Sequence, residues 1–119
     1  MTDVSHEGGQ ILEQAATALA HGKGLINRSL SALKAATLVD GRVSPAKLDE
    51  YQLVSYELSL SWAECTAADF ALEHAQKLEQ EAPGSNSFAG RLATLFCAEA
   101  VNNTVARLRT RLADFWLTE

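Results

Sequence analysis

The chain has 119 residues, of which 47% are hydrophobic and 21% charged, and its formal net charge is −5. A chain of this length forms one domain and hides roughly two-thirds of the surface of its unfolded form, so a core needs no metal or disulfide. The ten Lys and Arg residues are scattered, which argues against the basic stripe of a nucleic-acid-binding protein, and no run of about 18 apolar residues predicts a membrane span.

The start of the chain carries Asp3 and Glu7 without an apolar run, unlike a secretory signal. We therefore expect a cytoplasmic protein. In that compartment the two cysteines, Cys65 and Cys97, are expected to be reduced and buried rather than joined in a disulfide.

The first predicted helix covers residues 8–39. Large apolar residues recur at every seventh position, as expected for one buried helix face. These are Leu12, Leu19, Ile26 and Leu33, with Ala16 and Leu30 beside them. Gly22 and Gly24 fall inside this segment, and each weakens an exposed helix by about 1 kcal/mol. The unbroken row favours a continuous helix in which glycine lets another backbone approach; the alternative is a break near Gly22, which would give four helices.

A turn follows at Asp40 and Gly41, where Gly41 is expected to end the first helix as a C-cap. Ser44 and Pro45 then begin the second helix as its N-cap and first helical residue. The second helix is predicted over residues 45–81.

The second helix carries two apolar rows, more than a peripheral helix needs. The first row is Leu48, Tyr51, Leu58, Trp62, Cys65 and Leu72. The second row is Leu53, Tyr56, Leu60, Ala63, Ala67, Phe70 and Leu78. This helix is therefore expected to be central, or to be covered on a second side by a partner chain.

Residues 82–86 read as a turn, and Ser85 or Ser87 can cap a third helix over residues 87–117. Its apolar positions include Phe88, Leu92, Leu95, Phe96, Val101, Val105, Leu108, Leu112 and Phe115. Three helices of about 45 Å joined by short turns form an antiparallel up-down-up bundle. One seam cannot hide both apolar rows of the second helix, so we expect a homo-oligomer or a heteromeric partner chain.

Residues for catalysis are sparse. His6, His21 and His74 have no metal-ligand spacing, and no Glu-x-x-His motif occurs, so no metal site is expected. Cys65 and His74 are too far apart along one helix for a nucleophile and its base. We predict no catalytic residue and no complete enzyme in this chain alone.

Three segments of the chain occur in an order that is typical of a known protein family. The segment from Gly24 to Leu30, an arginine at Arg42 and the Gln52 segment from Tyr51 to Val54 follow one another in order. This order resembles the first two long helices of the C-terminal domain of acyl-CoA dehydrogenases, and Ala98-Glu99-Ala100 is similar to part of that domain's third helix. The resemblance implies an all-α, up-down bundle of that type, with Arg42 and Gln52 as residues near a bound FAD.

The sequence also departs from that family. Its Arg-x-x-Phe-Gly turn reads Arg42-Val43-Ser44-Pro45 here, and its Gly-Gly-x-Gly-Tyr segment is missing. The position that carries the catalytic glutamate in some members is Gln14, and the neighbouring Glu13 would face about 100° away on a helix. The resemblance thus implies no FAD bound by this chain alone, although FAD within a complex remains compatible with it.

Two functions follow as expectations. The first is an oligomerisation or interaction module, or a non-catalytic subunit of a flavin-dependent acyl-CoA dehydrogenase-type complex. The alternative is a small bundle that binds an acyl or aromatic ligand between its second and third helices. That alternative predicts a buried cavity of roughly 300 Å³ or more, the size of small-ligand pockets.

Overall fold

The computed structural model describes residues 4–83 and 88–110, with side chains described from Gly9 onward. Within these ranges the helices are α1 (Val4–Thr37), α2 (Pro45–Glu50), α3 (Gln52–Glu81) and α4 (Phe88–Arg109). A two-residue hairpin, β1 (Leu38–Val39) and β2 (Arg42–Val43), joins α1 to α2. The all-helical prediction is confirmed apart from this hairpin. The predicted caps Ser85 and Ser87 and the predicted end of the third helix at 117 lie outside the described residues.

Helix α1 runs without interruption through both of its central glycines, so the alternative of a break near Gly22 is wrong. The prediction that glycine admits a neighbouring backbone is also wrong. A Cβ added to Gly22 would lie 3.5 Å from Val101 Cγ2 and 3.9 Å from Cys65 Sγ, which is ordinary contact with side chains. A Cβ added to Gly24 would have nothing within 4 Å. The helix continues because its buried face outweighs the low helix propensity of two glycines.

Asp40 and Gly41 form a hairpin turn rather than the predicted C-cap of α1. Both have positive φ, 52° and 79°, and the flanking strands pair Leu38 with Val43 and Val39 with Arg42. Two consecutive residues with positive φ are the signature of a type I′ turn, for which Asp-Gly is a favoured pair. Helix α1 therefore ends at Thr37, two residues before the predicted end, and the Ser44 N–H donates to the Thr37 carbonyl at 2.8 Å.

The predicted second helix is two helices, because the chain leaves helical geometry at Tyr51. Its φ and ψ are −113° and 27°, and its N–H donates to the carbonyl of Leu48. The start is as predicted, since the Ser44 Oγ accepts a hydrogen bond from the Lys47 N–H at 3.3 Å. Helix α2 buries no residue, whereas Tyr51 packs against the core. The bend thus lets α3 join the bundle while α2 stays at its end.

Helices α1, α3 and α4 form the up-down-up bundle. Lys23 on α1 contacts Asp69 on α3 at 2.5 Å. On α3, Glu64 binds Arg107 of α4, while the Ala68 carbonyl accepts from Cys97, so these two helices are antiparallel. The molecule measures 60 × 24 × 20 Å, which makes it long and thin as predicted. All three helices contact one another, so α3 is not more central than the others.

The core combines large side chains, most regularly spaced on α1, with small side chains on all three long helices. Buried positions on the three long helices are spaced three and four residues apart, as in a coiled coil. On α1 they are Leu12, Ala15, Leu19, Gly22, Ile26, Ser29, Leu33 and Thr37; on α4 they are Ala93, Cys97, Ala100, Thr104 and Leu108. The predicted α1 row is confirmed, except that Leu30 is exposed. The small residues let the helices approach closely, which accounts for the narrow cross-section.

Candidate interaction surface

Helix α3 has two seams of residues at coiled-coil spacing, and they face nearly opposite directions. The inner seam is buried in the bundle and consists of Val54, Leu58, Ser61, Cys65, Ala68, Leu72 and Ala75. The outer seam consists of Leu53, Tyr56, Leu60, Ala63, Ala67 and Phe70, all exposed. Each outer position precedes an inner position by one or two residues, which places the two seams about 150° apart around the helix.

The predicted rows of the second helix need correction in part. Trp62 and Leu48 were expected in the same row as Leu58 and Cys65, but Trp62 is 59% exposed and Leu48 lies on α2. The predicted row holds three inner-seam residues, Leu58, Cys65 and Leu72, but it lacks Val54, Ser61, Ala68 and Ala75. The second predicted row is real: its first six members are the outer seam, while Leu78 is half-buried.

The outer seam is a large exposed apolar surface. Tyr56 is 65% exposed, Phe70 68% and Leu53 56%. These three residues, with Leu60 and the two alanines, present on the order of 600 Å² of surface, which is the upper end of the range for the largest apolar patch on a monomeric protein. Apolar patches of this size are often functional.

A shorter apolar patch lies on α4. Phe88, Leu92 and Leu95 are exposed at the same three-and-four spacing. The next position at that spacing is Glu99, which is exposed and charged. The α4 patch therefore ends after two turns, whereas the outer seam of α3 continues for five.

Next to the outer seam, a polar cluster ties α3 to α4. The Arg107 guanidinium binds the Glu64 carboxylate and donates to Ser61 Oγ at 3.4 Å, and the Asn103 amide donates to Glu64 at 3.1 Å. Partial burial acts to raise the pKa of Glu64, but the hydrogen bonds from Arg107 and Asn103 and the guanidinium charge outweigh it and lower that pKa. The cluster therefore favours an ionised Glu64.

We expect Glu64→Gln to reduce the dependence of stability on acid pH. A carboxyl group with a lowered pKa in the folded state stabilises the fold above its unfolded pKa, and this contribution is lost as the pH falls through the folded value. For a glutamate the loss begins near pH 4.3. Urea unfolding of the wild type and the variant between pH 7 and pH 3 measures the difference. The exposed Glu99→Gln is the matched control, and an equal loss of stability with acid in wild type and Glu64→Gln would contradict the assignment.

Both cysteines are free and buried between helices. Cys65 Sγ lies 3.4 Å from the Thr104 hydroxyl, and the Cys97 thiol donates to the Ala68 carbonyl at 3.8 Å. Burial, and then the negative charge of Asp69 and the proximity of Cys65, raise the pKa of Cys97. A protonated, buried thiol is a poor nucleophile, so these contacts support packing rather than catalysis.

The placement of the histidine, cysteine and acidic side chains bears on metal binding. Among residues 9–83 and 88–110, no group of three or more His, Cys, Asp or Glu side chains is placed to hold a metal ion. His21 and His74 are both exposed.

A cleft of about 50 Å³ lies between α1 and α3 and is lined in part by Lys23, Trp62 and Thr66. This cleft differs in size and in place from the cavity that the ligand-binding alternative predicts, which is roughly 300 Å³ and lies between α3 and α4.

The two residues assigned to FAD by resemblance lie at the hairpin end of the bundle. Arg42 is in β2 and is exposed. Gln52 begins α3, is also exposed, and its side-chain amide donates to Asp49 at 3.5 Å.

No helix in the described part of the chain is long and apolar enough to cross a membrane.

Comparison of the chain with protein-family models, with curated proteins and with solved structures finds no significant match.

Proposed function

We propose that this protein is a non-catalytic helical interaction module, and that the outer seam of α3 is its docking surface. The exposure of Tyr56 and Phe70 within one continuous heptad-spaced seam is the observation that supports the proposal. A helix that has already buried one seam gains nothing for its own fold from a second. Leaving such a seam in water carries a risk of aggregation, which a specific partner removes.

The form of the seam indicates the kind of partner. Positions three and four residues apart form a stripe that fits the side chains of another helix, in the manner of knobs and holes. The two alanines in the second half of the seam, Ala63 and Ala67, allow that helix to approach closely. The partner surface is therefore expected to be an apolar helix face rather than a loop, an extended peptide or a flat ligand.

A photo-crosslinking amino acid that replaces Tyr56, in the chain expressed in the cells that naturally produce it, tests this proposal. We expect irradiation to yield one or two adducts of discrete mass, because Tyr56 would lie inside the contact. The same amino acid at Leu30, which is 51% exposed on α1, is the matched control and should give no adduct. Absence of any discrete adduct at position 56, or equal adducts at both positions, would refute a docking role for the outer seam.

The narrower role, a subunit of an acyl-CoA dehydrogenase-type flavin complex, stays a prediction whose support is the set of residues quoted for the resemblance. A visible absorption spectrum of the purified chain after incubation with FAD tests the flavin link directly. The ligand-binding alternative also stays a prediction, and the close packing of Cys65 on Thr104 and of Cys97 on Ala68 does not favour it.

A further inference from the structure

We infer that the outer seam of α3 pairs with the outer seam of a second copy of this chain, in antiparallel orientation about a two-fold axis between Leu60 and Ala63. This inference rests on the proposed docking role of the outer seam and adds its occupant and its geometry. Two properties of the seam support it, the order of its side-chain sizes and its area, and the charges beside the seam do not oppose it.

The order of sizes fits an antiparallel pair. With the axis between Leu60 and Ala63, each Leu60 packs on Ala63 of the second copy and each Tyr56 on Ala67 of the second copy. At each of the two ends, Leu53 of one copy then packs on Phe70 of the other copy. Every inner layer therefore combines one large and one small side chain, which keeps the two helices at a constant separation.

A parallel pair in register does not have this property. It would place Tyr56 on Tyr56, Phe70 on Phe70, and alanine on alanine at positions 63 and 67. Layers of two aromatic rings hold helices near the upper end of the usual range of 8–10 Å between axes, while alanine layers need the lower end. Two rigid helices, each anchored in its own bundle by seven inner-seam residues, cannot satisfy both.

The area is sufficient for a dimer. On the order of 600 Å² of outer-seam surface on each copy gives about 1,200 Å² for the pair, which reaches the lower end of specific protein–protein interfaces. An interface of this size, without large ordering of loops, is expected to have a dissociation constant on the order of micromolar.

The charges beside the seam are compatible with a second copy. In the antiparallel arrangement, Glu57 of one chain lies near Glu64 of the other. Arg107 binds Glu64 within each chain, and this neutralises the carboxylate that Glu57 approaches. On the other flank Ser59 lies near Thr66 of the second copy, and this contact carries no charge.

Two cysteine variants distinguish the orientations. In the antiparallel pair, two copies of position 63 are offset by three residues, about 4.5 Å along the helix, whereas two copies of position 67 are offset by eleven residues, about 16 Å. A bismaleimide with a spacer of about 8 Å should therefore link Ala63→Cys into a covalent dimer within minutes and leave Ala67→Cys mainly unlinked. The wild type, with Cys65 and Cys97 buried, and the exposed variant Ala98→Cys provide the background.

Light scattering on the purified full chain accompanies the crosslinking. We expect a mass approaching twice 12.8 kDa as concentration rises, and a return to 12.8 kDa in Tyr56→Glu/Phe70→Glu, which retains wild-type helicity. Efficient linking of both Ala63→Cys and Ala67→Cys would overturn the antiparallel geometry and leave the docking role standing. A monomer at all concentrations, or linking of Ala98→Cys at the rate of Ala63→Cys, would overturn the second copy as occupant. A discrete adduct of another mass at position 56 would then still support docking to a different protein.

Discussion

Leu19→Ala is expected to lower the free energy of unfolding by about 2–5 kcal/mol. Leu19 is 1% exposed and belongs to the core cluster on α1. Its truncation leaves a cavity, and the adjacent buried positions on α1, Ala15 and Gly22, are too small to fill it. Since a domain of this size is stabilised by about 5–15 kcal/mol, the loss is a large fraction of the total.

Urea unfolding followed by circular dichroism at a fixed protein concentration measures this effect, since association would otherwise shift the midpoint. Leu30→Ala on the same helix is the matched control: the side chain is half exposed, and the change should stay within about 0.5 kcal/mol. Equal effects of the two substitutions would show that the buried face of α1 has been wrongly identified.

Ala68→Leu is expected to destabilise the bundle by about 1–3 kcal/mol, although leucine is a strong helix former and more hydrophobic than alanine. Ala68 is fully buried on the inner seam of α3, and its carbonyl lies 3.8 Å from Cys97 Sγ on α4. Three additional carbon atoms at that position must push the two helices apart or adopt an unfavourable rotamer.

Thermal and urea unfolding measure this loss, with Ala98→Leu at an exposed position of α4 as the control. The control should be neutral within about 0.5 kcal/mol. An increase in stability on Ala68→Leu would mean that the space beside the inner seam is larger than the contacts indicate.

How much of the fold the sequence predicts depends on side-chain size. The row on α1 was found because Leu12, Leu19, Ile26 and Leu33 are large and strictly periodic. The inner seam of α3 is only partly predictable, because Ser61, Ala68 and Ala75 are small and the large Trp62 lies beside the same row. Periodicity of large apolar residues identifies a buried face only where burial and size coincide, which holds on α1 but not on α3.

The hairpin before the predicted second helix and the bend inside it show another limit. The Asp40-Gly41 pair is a known hairpin signal. It separates the apolar pair Leu38-Val39 from Arg42-Val43 by two residues, and this pattern is sufficient to predict the turn. The bend at Tyr51 had no such signal, because Glu50, Tyr51 and Gln52 are all acceptable in a helix. It arises from tertiary packing, since Tyr51 turns onto the core while α2 stays outside it.

The sequence predicts that one apolar row of the second helix stays uncovered, but it does not predict which of the two rows faces outward. The spacing of Leu53, Tyr56 and Leu60 indicated an apolar row, and only the packing of α1 and α4 on the other side of α3 shows that this row faces outward. Arg42 and Gln52 came from a resemblance, and the structure places them on the exposed hairpin end without testing a role in flavin binding.

The repeating small residues between α3 and α4 have a consequence for how these helices find their alignment. A slide of α4 by seven residues, about 10 Å, would again bring alanine opposite alanine, so apolar contacts alone discriminate weakly between the two positions. The Arg107–Glu64–Asn103 cluster and the Cys65–Thr104 pair exist only in the native alignment. Because a slipped form would leave these polar groups without one another, the cluster is expected to favour a single longitudinal position of α4.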